Sequence, residues 1–456
     1  MTIKLPENVK FIIDTIETAG FEAYAVGGCV RDSLLNRVPE DWDITTSATP
    51  AEVKSLFRRT FDTGLKHGTI TVLLDGENYE VTTYRIDGIY EDKRHPSKVT
   101  YTSNLADDLK RRDFTINAMA YNEREGLIDL YDGVKDIEAN VIRAVGNAKE
   151  RFDEDALRMM RAVRFSAQLG YTIEEKTRNA IIEKAADLKH ISAERIRIEL
   201  VKLITSPNPD FLREVYEIGL TAEFLPEFDA CMQTEQKHPH HCFNVGEHIL
   251  HSLKAIEADK ILRLTMLFHD IAKPLTKTVN EKTGNDSFKG HSKKGAEMTR
   301  AVMRRLKFDN DTTDKVYRLV LYHDYDIDMN PDFDHLGVVE IKDKYVRRAI
   351  NRIGVDLYPL YLKIHAADVA AQSDYMKAEK LTFLVELNRI YEKIKAAGQC
   401  VTLKDLAING NDLIKIGIPK GKKIGQILST LLDDVIDNPE HNTREYLLEV
   451  ALSIMK

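Results

Sequence analysis

Cysteine is scarce in this chain of 456 residues, and its spacing excludes two common roles. The chain has four cysteines, none of them in a CxxC pair: Cys29, Cys231, Cys242 and Cys400. Scattered cysteines argue against a zinc finger and against a disulfide framework. We therefore expect a protein of a reducing, cytoplasmic compartment.

Long apolar runs and an excess of basic residues are also missing. The N-terminal sequence MTIKLPENVKFIIDTIETAG lacks a signal-peptide layout, and no apolar stretch is long enough to cross a bilayer, so no membrane partner is expected. The formal net charge of −8 excludes a generally basic nucleic-acid coat, so RNA contact requires a local basic face. No internal repeat is present, and the length allows about two to four domains.

Periodicity divides the chain into a mixed first part and a helical remainder. Apolar residues recur at helical spacing within 1–20, and strand-like runs dominate 21–145. A helix is expected to begin at Thr49-Pro50, because threonine caps a helix and proline suits its first position. From about residue 150 the pattern is helical. The sequence therefore predicts a small α/β head followed by helices.

A glycine pair followed by two aspartates is the most informative motif. Gly27-Gly28 opens the segment GGCVRD, and Asp41 and Asp43 follow in EDWDI. Residues i and i+2 of a strand point to the same face, so the two carboxylates are expected to lie side by side. Such a pair suits Mg²⁺ ions that also hold nucleotide phosphates, and a glycine turn lets backbone approach a phosphate. The motif predicts nucleotidyl transfer.

Three further residues of the head are candidates for the same site. Glu80 lies in the strand-like run YEVTTY and would complete a carboxylate triad. Arg31 follows the glycine turn, where an arginine can pair with phosphate oxygens bidentately, and Gly28 would contact the same triphosphate. Arg112, in RRDFTINAMA, is a further candidate phosphate contact.

Two groups of polar residues follow in the chain. Asp113 and Asn117 share one face if RRDFTINAMA is helical. The segment EDALRMMRAVRFSAQLG is predicted to form one helix with an acid–arginine stripe: Glu154, Asp155, Arg158, Arg161 and Arg164. The alternative for this stripe is a solvated, salt-bridged helix face.

These four blocks in this order resemble the class II nucleotidyltransferases, which comprise the tRNA CCA-adding enzymes and bacterial poly(A) polymerases. The resemblance is strong over the first half of the chain and looser beyond it. It implies the α+β class, with a polymerase-β-like nucleotidyltransferase head followed by an all-helical neck, body, HD domain and tail. It also implies that Asp41 and Asp43 hold Mg²⁺ with the triphosphate.

The same resemblance implies how the incoming nucleotide is chosen. In the family, the block matching Asp155 and Arg158 recognises the base, and RRDFTINAMA binds the ribose. A carboxylate accepts from the exocyclic amine, which C and A carry and which U and G lack at that edge. The polar segment 84–100 resembles the family's flexible loop, which is thought to help the switch from C to A; an ordinary surface hairpin is the alternative.

A second constellation resembles the HD-type metal phosphohydrolases. His248, His269, Asp270 and Asp368 are expected to hold a divalent metal of unknown identity. His291 and His323 would hold a second metal or the substrate phosphate. In the family, cyclic phosphodiesterase or phosphatase activity is associated with such a domain. The preceding cluster His238, His240 and His241 is expected to be peripheral.

The resemblance gives a domain division and a function. We expect the head at 1–145, a neck and body with nucleotide-selecting and RNA-binding residues at 146–228, the HD domain at 229–375 and a helical tail at 376–456. Basic residues slightly outnumber acidic ones in 143–202, and the turn 419–423 (PKGKK) is positive, so either would contact the phosphates of tRNA.

The predicted activity is addition of C, C and A to tRNA 3′ ends from CTP and ATP with Mg²⁺, releasing pyrophosphate. An A-adding enzyme or a poly(A) polymerase is the nearest alternative. An HD phosphohydrolase with an RNA-binding head and a non-catalytic tRNA-binding scaffold are alternatives of other classes. The sequence does not determine the oligomeric state.

Overall fold

The computed structural model describes residues 2–65, 68–87, 99–325, 327, 332–333 and 339–455. The chain forms two compact units, Met1–Pro226 and Glu227–Lys456. The α+β class predicted from the sequence is confirmed, because a sheet-containing head precedes a helical remainder along the chain. The finer division into four domains stays a prediction.

The strands of the first unit form one large sheet and two small pairs. In chain order they are β1 (Ala23–Val26), β2 (Asp43–Thr46), β3 (Thr60–Gly64), β4 (Thr69–Leu74), β5 (Glu77–Thr83), β6 (Arg85–Asp87), β7 (Val99–Tyr101), β8 (Met119–Asn122), β9 (Gly126–Asp129), β10 (Val141–Ile142) and β11 (Thr172–Ile173). The large sheet has seven strands in the order β3-β4-β5-β2-β1-β8-β9. Its only parallel pair among the described residues is β2 with β5.

The helices of this unit are short. They are α1 (Glu7–Thr18), α2 (Gly28–Leu34), α3 (Pro50–Leu56), α4 (Leu105–Lys110), α5 (Gly133–Glu138), α6 (Ala148–Glu154), α7 (Leu157–Leu169), α8 (Glu175–Lys184), α9 (Ala193–Ile204), α10 (Leu212–Glu217) and α11 (Thr221–Phe224). Three 3₁₀ turns lie between them, at Thr115–Asn117, Ala185–His190 and Pro209–Phe211. Helix α12 (Pro226–Met232) begins at the last residue of the unit.

Both faces of the large sheet are covered, which explains why β1 is apolar throughout. Ala23 and Ala25 pack into the main head core, whereas Tyr24 and Val26 pack into a smaller cluster with Tyr84. Alternate side chains of a strand point to opposite faces, so both sets are buried only when both faces are covered. Strand β2, which begins at Asp43, lies between β1 and β5 near the middle of the sheet.

Two helix predictions in the head are confirmed. In α1, every apolar residue of the expected stripe is buried: Val9, Ile12, Ile13 and Ile16. Helix α3 begins at Pro50, and the backbone N–H of Thr49 donates to the Glu52 carboxylate at 2.7 Å. This reciprocal cap satisfies backbone groups that the first helical turn leaves unpaired.

The helix predicted over EDALRMMRAVRFSAQLG is wrong at its start. Helix α6 ends at Glu154, Asp155 is extended with φ −146° and ψ 103°, and α7 begins at Leu157. The break follows from side-chain contacts of Asp155, which accepts from the Leu157 N–H at 3.1 Å and from Arg195 on α9. Asp155 therefore lies in an extended break between two helices, where its carboxylate accepts from the first N–H of the second helix, instead of lying within one long helix.

The second unit is mainly helical. Its helices are α13 (Val245–Ala255), α14 (Lys260–Phe268), α15 (Lys273–Thr276), α16 (His291–Arg305), α17 (Asn310–Tyr322), α18 (Asp343–Ile353), α19 (Tyr358–Ala370), α20 (Lys377–Ala396), α21 (Gly410–Lys415), α22 (Lys422–Asp437) and α23 (Arg444–Met455), with a 3₁₀ turn at Pro439–His441. Two antiparallel strand pairs join β12 (Thr278–Val279) to β13 (Asp286–Ser287) and β14 (Asp332–Phe333) to β15 (Val339–Glu340).

The end of the chain has a core of its own. Apolar residues of α21, α22 and α23 pack together, with Leu413, Leu431, Val435 and Leu447 at its centre. Among the described residues, no helix is both long enough and apolar enough to cross a membrane. Most of the segment 84–100 that resembles a family loop, namely residues 88–98, lies outside the described residues, so that prediction stays open.

Candidate functional site

Three carboxylates of the head lie close to one another around the start of β2. Asp43 is the first residue of β2, and the parallel register places it opposite Glu80 of β5. Asp41 lies in the connection that precedes β2, so the expected strand covers only one of the two motif aspartates. Asp41 and Asp43 nevertheless line the same cleft, which has a volume of about 750 Å³.

The electrostatics of these acids favour a bound cation. Loss of water around Asp43 raises the pKa of its carboxyl, Arg112 opposes that shift and Asp41 adds to it. Desolvation also raises the pKa of Glu80, with further contributions from Asp43 and Asp41. Neighbouring carboxylates repel each other when ionised, and oxygen ligands suit hard divalent ions. The donor set therefore fits a divalent metal.

The glycine turn brings backbone against an arginine. Gly27 has a φ of +85°, and a Cβ added there would lie 3.1 Å from Nη1 of Arg112. Arg112 Nη2 donates to Asp108 at 3.2 Å. Its buried Nε has no hydrogen-bond partner within the described part of the chain. An arginine that keeps an unused donor beside a glycine turn suits an anionic ligand.

A continuous network links the polar residues of the cleft. Arg31 donates to the Asn117 side-chain oxygen at 2.7 Å, and Asn117 donates to Asp113 at 3.3 Å. Arg161 donates to the Asp113 carboxylate at 2.8 Å. Asp113 and Asn117 thus lie together although only the 3₁₀ turn Thr115–Asn117 is helical. Arg31 is also paired with Asp32, at 2.8 Å.

Asp113 is held ionised by this network. Burial alone would raise its pKa, but Arg161, Arg158 and hydrogen bonds from Arg161 and Asn117 lower it to about 2. Its negative charge in turn holds the guanidinium of Arg161, which projects from α7, at the wall of the cleft. The network therefore holds these side chains in one arrangement before any ligand arrives.

Arg164 forms the far wall of the same cleft. Its Nε donates to Glu199 at 2.9 Å, and its guanidinium carbon lies 3.5 Å from the centroid of the Phe165 ring. Arg31 and Arg161 lie 5.1 and 5.2 Å from the same ring. Residues proposed from the sequence that line this cleft are Gly28, Arg31, Asp41, Asp43, Arg112, Asp113, Asn117, Arg161 and Arg164.

A smaller recess of about 270 Å³ shares three wall residues with the cleft. The shared residues are Arg112, Asp113 and Arg161, and the recess adds Arg111, Asp155, Leu157, Arg158 and Arg195. Arg158 donates to the backbone oxygen of Arg111 at 2.8 Å and also pairs with Glu154. The recess therefore contains both residues that the sequence proposed for base selection.

Asp155 has a partner that the sequence did not indicate. Arg195 donates to its two carboxylate oxygens at 3.1 and 2.7 Å. A carboxylate has about four acceptor positions, so Asp155 can accept from Arg195, from Leu157 and from one further donor. Arg111 is a second wall residue missed from the sequence, although it stands next to Arg112.

Two groups of metal-donor side chains converge in the second unit. His248, His269 and Asp368 form one group, and Asp270, His291 and His323 form the other, each with donor atoms within 4.8 Å of one another. Nε2 of His248 lies 3.2 Å from Nε2 of His269. In the second group, Nε2 of His291 lies 3.1 Å from Nε2 of His323.

Backbone carbonyls determine which nitrogens face inward. Nδ1 of His269 and of His323 each lies 2.7 Å from a carbonyl oxygen, and Nδ1 of His291 lies 2.9 Å from one. A carbonyl accepts only, so each Nδ1 carries a proton, and the neutral form of each ring presents the lone pair of Nε2 to the centre. Facing lone pairs of this kind fit a metal ion.

Asp270 belongs to the second group and also approaches the first. Its Oδ2 is 3.3 Å from Nε2 of His269, and its Oδ1 is 3.4 Å from Nε2 of His291. Lys273 lies 2.7 Å from Asp270 Oδ2. Burial opposes the charged form of His269, yet Asp270 and Asp368 raise its pKa well above the ordinary value, so the acids favour positive charge here.

The expectation that the histidine-rich loop is peripheral is wrong. His238, His240 and His241 line the same pocket of about 400 Å³ as Asp270, His291, His323 and Asp368. Burial lowers the pKa of His241 to about 3, so its ring is neutral. Lys273 also lines this pocket, and its place three residues after Asp270 in HDIAKP was the signal that the sequence offered.

Family models match the chain in the order that the sequence analysis predicts. The poly A polymerase head domain matches residues 23–143, and the probable RNA and SrmB-binding site of polymerase A matches 170–232. The HD domain matches 238–357, and a tRNA nucleotidyltransferase domain 2 matches 350–451.

Similar proteins decide the family. The CCA-adding enzyme of Lactobacillus delbrueckii subsp. bulgaricus is 38% identical over 439 residues, which are 96% of this chain and 95% of that protein. The chain belongs to the CCA-adding enzyme family. The CCA-adding enzyme of Lactiplantibacillus plantarum is 56% identical over 200 residues, 44% of this chain and 49% of that protein. The chain is therefore a nucleotidyltransferase, and the CCA-adding interpretation is supported over its alternatives.

A solved structure extends this likeness to the whole chain. The Bacillus stearothermophilus CCA-adding enzyme, crystallised in complex with CTP, matches with a TM-score of 0.72 at 30% identity and covers 99% of this chain and 98% of its own. The Thermotoga maritima CCA-adding enzyme complexed with tRNA has a TM-score of 0.56 at 20% identity, covering 100% of both chains, and shows a shared fold only.

Proposed function

We propose that this protein adds C, C and A to the 3′ end of tRNA, using CTP and ATP and releasing pyrophosphate. The observation that carries the proposal is the pair Asp41 and Asp43, with Glu80 opposite Asp43, on a cleft that shares wall residues with a recess lined by Asp155 and Arg158. Similar proteins bear the name CCA-adding enzyme, and the solved relative at 30% identity was crystallised with CTP.

Asp41, Asp43 and Glu80 would hold Mg²⁺, because these mutually repelling acids need a cation and offer only oxygen donors. When bound, Mg²⁺ supplies neutralisation of phosphate charge and a more acidic 3′-hydroxyl. The chain's own contribution is position: β2 and β5 hold Asp43 and Glu80 in a fixed register beside the cleft.

The triphosphate would be bound by arginines that the head holds in advance. Arg112 places its Nη1 beside the Gly27-Gly28 turn, and its Nε has no hydrogen-bond partner among the residues that the structure describes. Arg31 is oriented by Asp32 and Asn117, and its neighbour Gly28 lines the same cleft. Fixed donors cost little reorganisation at the moment of transfer, and phosphoryl chemistry depends on such positioning.

The recess would select the base. Asp155 would accept from N4 of C or N6 of A, while Arg158 donates to a ring acceptor, so U and G lose the paired donor. Arg161 and Asp113 join the recess to the cleft and would position the ribose, together with Asn117. Arg164 and Phe165 close the far wall. Protein side chains alone would then replace a nucleic-acid template.

One assay distinguishes this function from its nearest alternatives. The protein is incubated with Mg²⁺ and with tRNAs that lack CCA, CA or A, each supplied with CTP, ATP or both. Completion of all three to CCA and no further is expected. Extension of only the tRNA that lacks A would instead identify an A-adding enzyme, and continued addition of A would identify a poly(A) polymerase.

The second unit favours a second activity, metal-dependent hydrolysis of phosphate esters or cyclic phosphodiesters. The specific observation is the pair of donor groups whose Nε2 atoms face each other. Metals held there would supply an activated water at neutral pH. The test has two substrates: an RNA ending in a 2′,3′-cyclic phosphate, which would be opened to a phosphomonoester, and an RNA ending in a phosphomonoester, which would release phosphate. Both reactions should be lost in His269→Ala, and equal rates in the variant contradict the activity.

Finer points of this proposal concern compartment, domains and RNA contact. The scattered cysteines suit a cytoplasmic enzyme. The head, neck and body, HD domain and tail would have the bounds proposed from the sequence. The turn 419–423 is exposed and carries three lysines, so it would contact tRNA phosphates. Replacing its lysines by glutamine should weaken tRNA binding and reduce its dependence on salt.

A further inference from the structure

A rim of cationic and aromatic side chains borders the two donor groups of the second unit. His238, His240, Lys289 and Lys380 line the same pocket of about 400 Å³ as Asp270 and Asp368. None of these four rim residues belongs to either donor group. Their function is therefore separate from holding a metal, and the positive charge beside a hydrolytic centre suits an anionic group of the substrate.

The two histidine rings of the rim stack, and the ring of Tyr375, which does not line the pocket itself, lies against His240. The rings of His238 and His240 stack with centroids 5.1 Å apart at 27°, and the Tyr375 ring lies 4.9 Å from His240. The side chain of Tyr375 is 53% exposed. The Ser373 N–H donates to the His240 backbone oxygen at 3.0 Å and fixes the loop against the turn before α20. An exposed ring on a fixed loop suits stacking by a nucleobase.

Lys380 connects the rim to the donors. Its Nζ lies 3.0 Å from Nδ1 of His240 and also donates to the Gln372 side-chain oxygen. Gln372 donates to Asp368 Oδ2 at 2.9 Å. A phosphate bound to Lys380 would therefore lie close to the His240 ring, with the Gln372 side chain between Lys380 and Asp368.

We propose that this rim binds the terminal nucleotide of an RNA 3′ end that carries a phosphate, with Lys380 contacting the phosphate and the Tyr375 and His240 rings supporting the base. The proposal names the substrate of the hydrolytic activity proposed above, and it rests on that activity for removal of the phosphate. Stacking does not distinguish bases, so the rim accepts any terminal base. A free mononucleotide also carries a base and a phosphate, so the test compares it with the RNA end.

The kinetic test uses the full-length protein loaded with Mn²⁺. Its substrates are a short RNA with a 3′-phosphate, 3′-CMP, and glycerol phosphate, which has no base. Tyr375→Leu should raise KM for the RNA about tenfold, leave kcat within twofold and leave glycerol phosphate unaffected. Lys380→Gln should raise KM for all three substrates. Lys393→Gln is the matched control, because Lys393 lies on the same helix and pairs with Asp343 at the surface.

A binding test separates this proposal from the hydrolytic activity. We would measure how tightly chelator-treated protein binds one RNA that ends in either a 3′-phosphate or a 3′-hydroxyl. The ratio of the two affinities is compared between wild type and the variants, so that RNA binding by the head cancels. Preference for the phosphate end that falls in Tyr375→Leu and Lys380→Gln supports the rim even when no hydrolysis is seen. Equal preference in wild type and both variants overturns the proposed RNA site. A kinetic effect of the substitutions on 3′-CMP without any effect on the RNA also overturns it. Mn²⁺ content should be unchanged in both variants.

Discussion

The carboxylate of Asp155 accepts from both terminal nitrogens of Arg195, at 3.1 and 2.7 Å, across 40 residues of sequence. This pair holds the carboxylate at the wall of the recess while the Leu157 N–H occupies a further acceptor position. Orientation is therefore set before a nucleotide enters. A preset acceptor distinguishes an amine from a carbonyl oxygen, because the wrong base leaves both partners unpaired.

Replacement of Asp155 should reduce the preference for CTP and ATP over UTP and GTP, and this loss should be its main effect. In Asp155→Ala, kcat/KM for CTP and ATP should approach that for UTP and GTP, with selectivity falling about tenfold or more, since a good paired contact contributes roughly 1–3 kcal/mol of discrimination. The measurement is kcat/KM for each nucleotide with a tRNA that lacks CCA. Asp153→Ala is the matched control, because Asp153 pairs with Lys184 and does not line the recess. Unchanged selectivity in Asp155→Ala contradicts the assignment.

Two glycines separate backbone strain from the geometry of the site. Gly27 and Gly126 both have positive φ, +85° and +78°, so alanine at either position should cost about 1–3 kcal/mol. Only at Gly27 would the new Cβ meet a functional group, Arg112 Nη1 at 3.1 Å, whereas nothing lies within 4 Å at Gly126. Gly27→Ala should therefore raise KM for CTP and ATP several-fold. Gly126→Ala should leave KM unchanged at a similar loss of stability; equal kinetics in both variants would count against the phosphate role of Arg112.

Asp113 should make the head less stable in acid. Its folded pKa of about 2 lies below the roughly 3.9 of an unfolded aspartate, so its contribution is present above about pH 4 and is lost as pH falls toward 2. Two pKa units correspond to about 2.6 kcal/mol. Asp113→Asn should lower the free energy of unfolding by about 2 kcal/mol at pH 7, with a smaller difference at pH 3.

The single tryptophan, Trp42, packs against the head core, so its fluorescence in urea reports this unit. A difference between Asp113→Asn and wild type that stays constant from pH 7 to pH 3 would show that Asp113 is not the titrating group.

The facing imidazoles of the second unit should bind transition metals independently of the head. Full-length protein loaded with Mn²⁺ and desalted should retain up to two ions per chain, and His269→Ala should retain at least one fewer, as measured by elemental analysis. His251→Ala is the control, because His251 lies on α13 with His248 but belongs to neither donor group. Equal metal content in His269→Ala and wild type contradicts the site.

Local patterns explain how much of the fold was predictable. The strand of Asp43 and the capped start of α3 depend on neighbours within a few residues, and both were found from the sequence. Asp155 at the break pairs with Arg195, 40 residues away, whereas Glu154 and Ala156 on either side of it are good helix formers. A tertiary contact thus overrode local propensity, which no periodicity indicates.

Site residues follow the same division. Asp41, Asp43, His269 and Asp270 stand in short motifs, so residue type and spacing were sufficient to propose them. Tyr375 and Lys380 carry no motif and approach the HD pocket only through the packing of the turn 371–376 against the loop of His240. Glu80 was proposed from its strand, and its parallel register with Asp43 became evident only from the sheet.

The acids of the head are the central claim, and isosteric replacement tests them most directly. Asp41→Asn and Asp43→Asn keep side-chain shape while removing the charge that would hold Mg²⁺. The measurement is the rate at which label from CTP and ATP is incorporated into a tRNA lacking CCA, with Trp42 fluorescence confirming that the head is folded. The account predicts a loss of at least a thousandfold in either variant. Incorporation at the wild-type rate would contradict it.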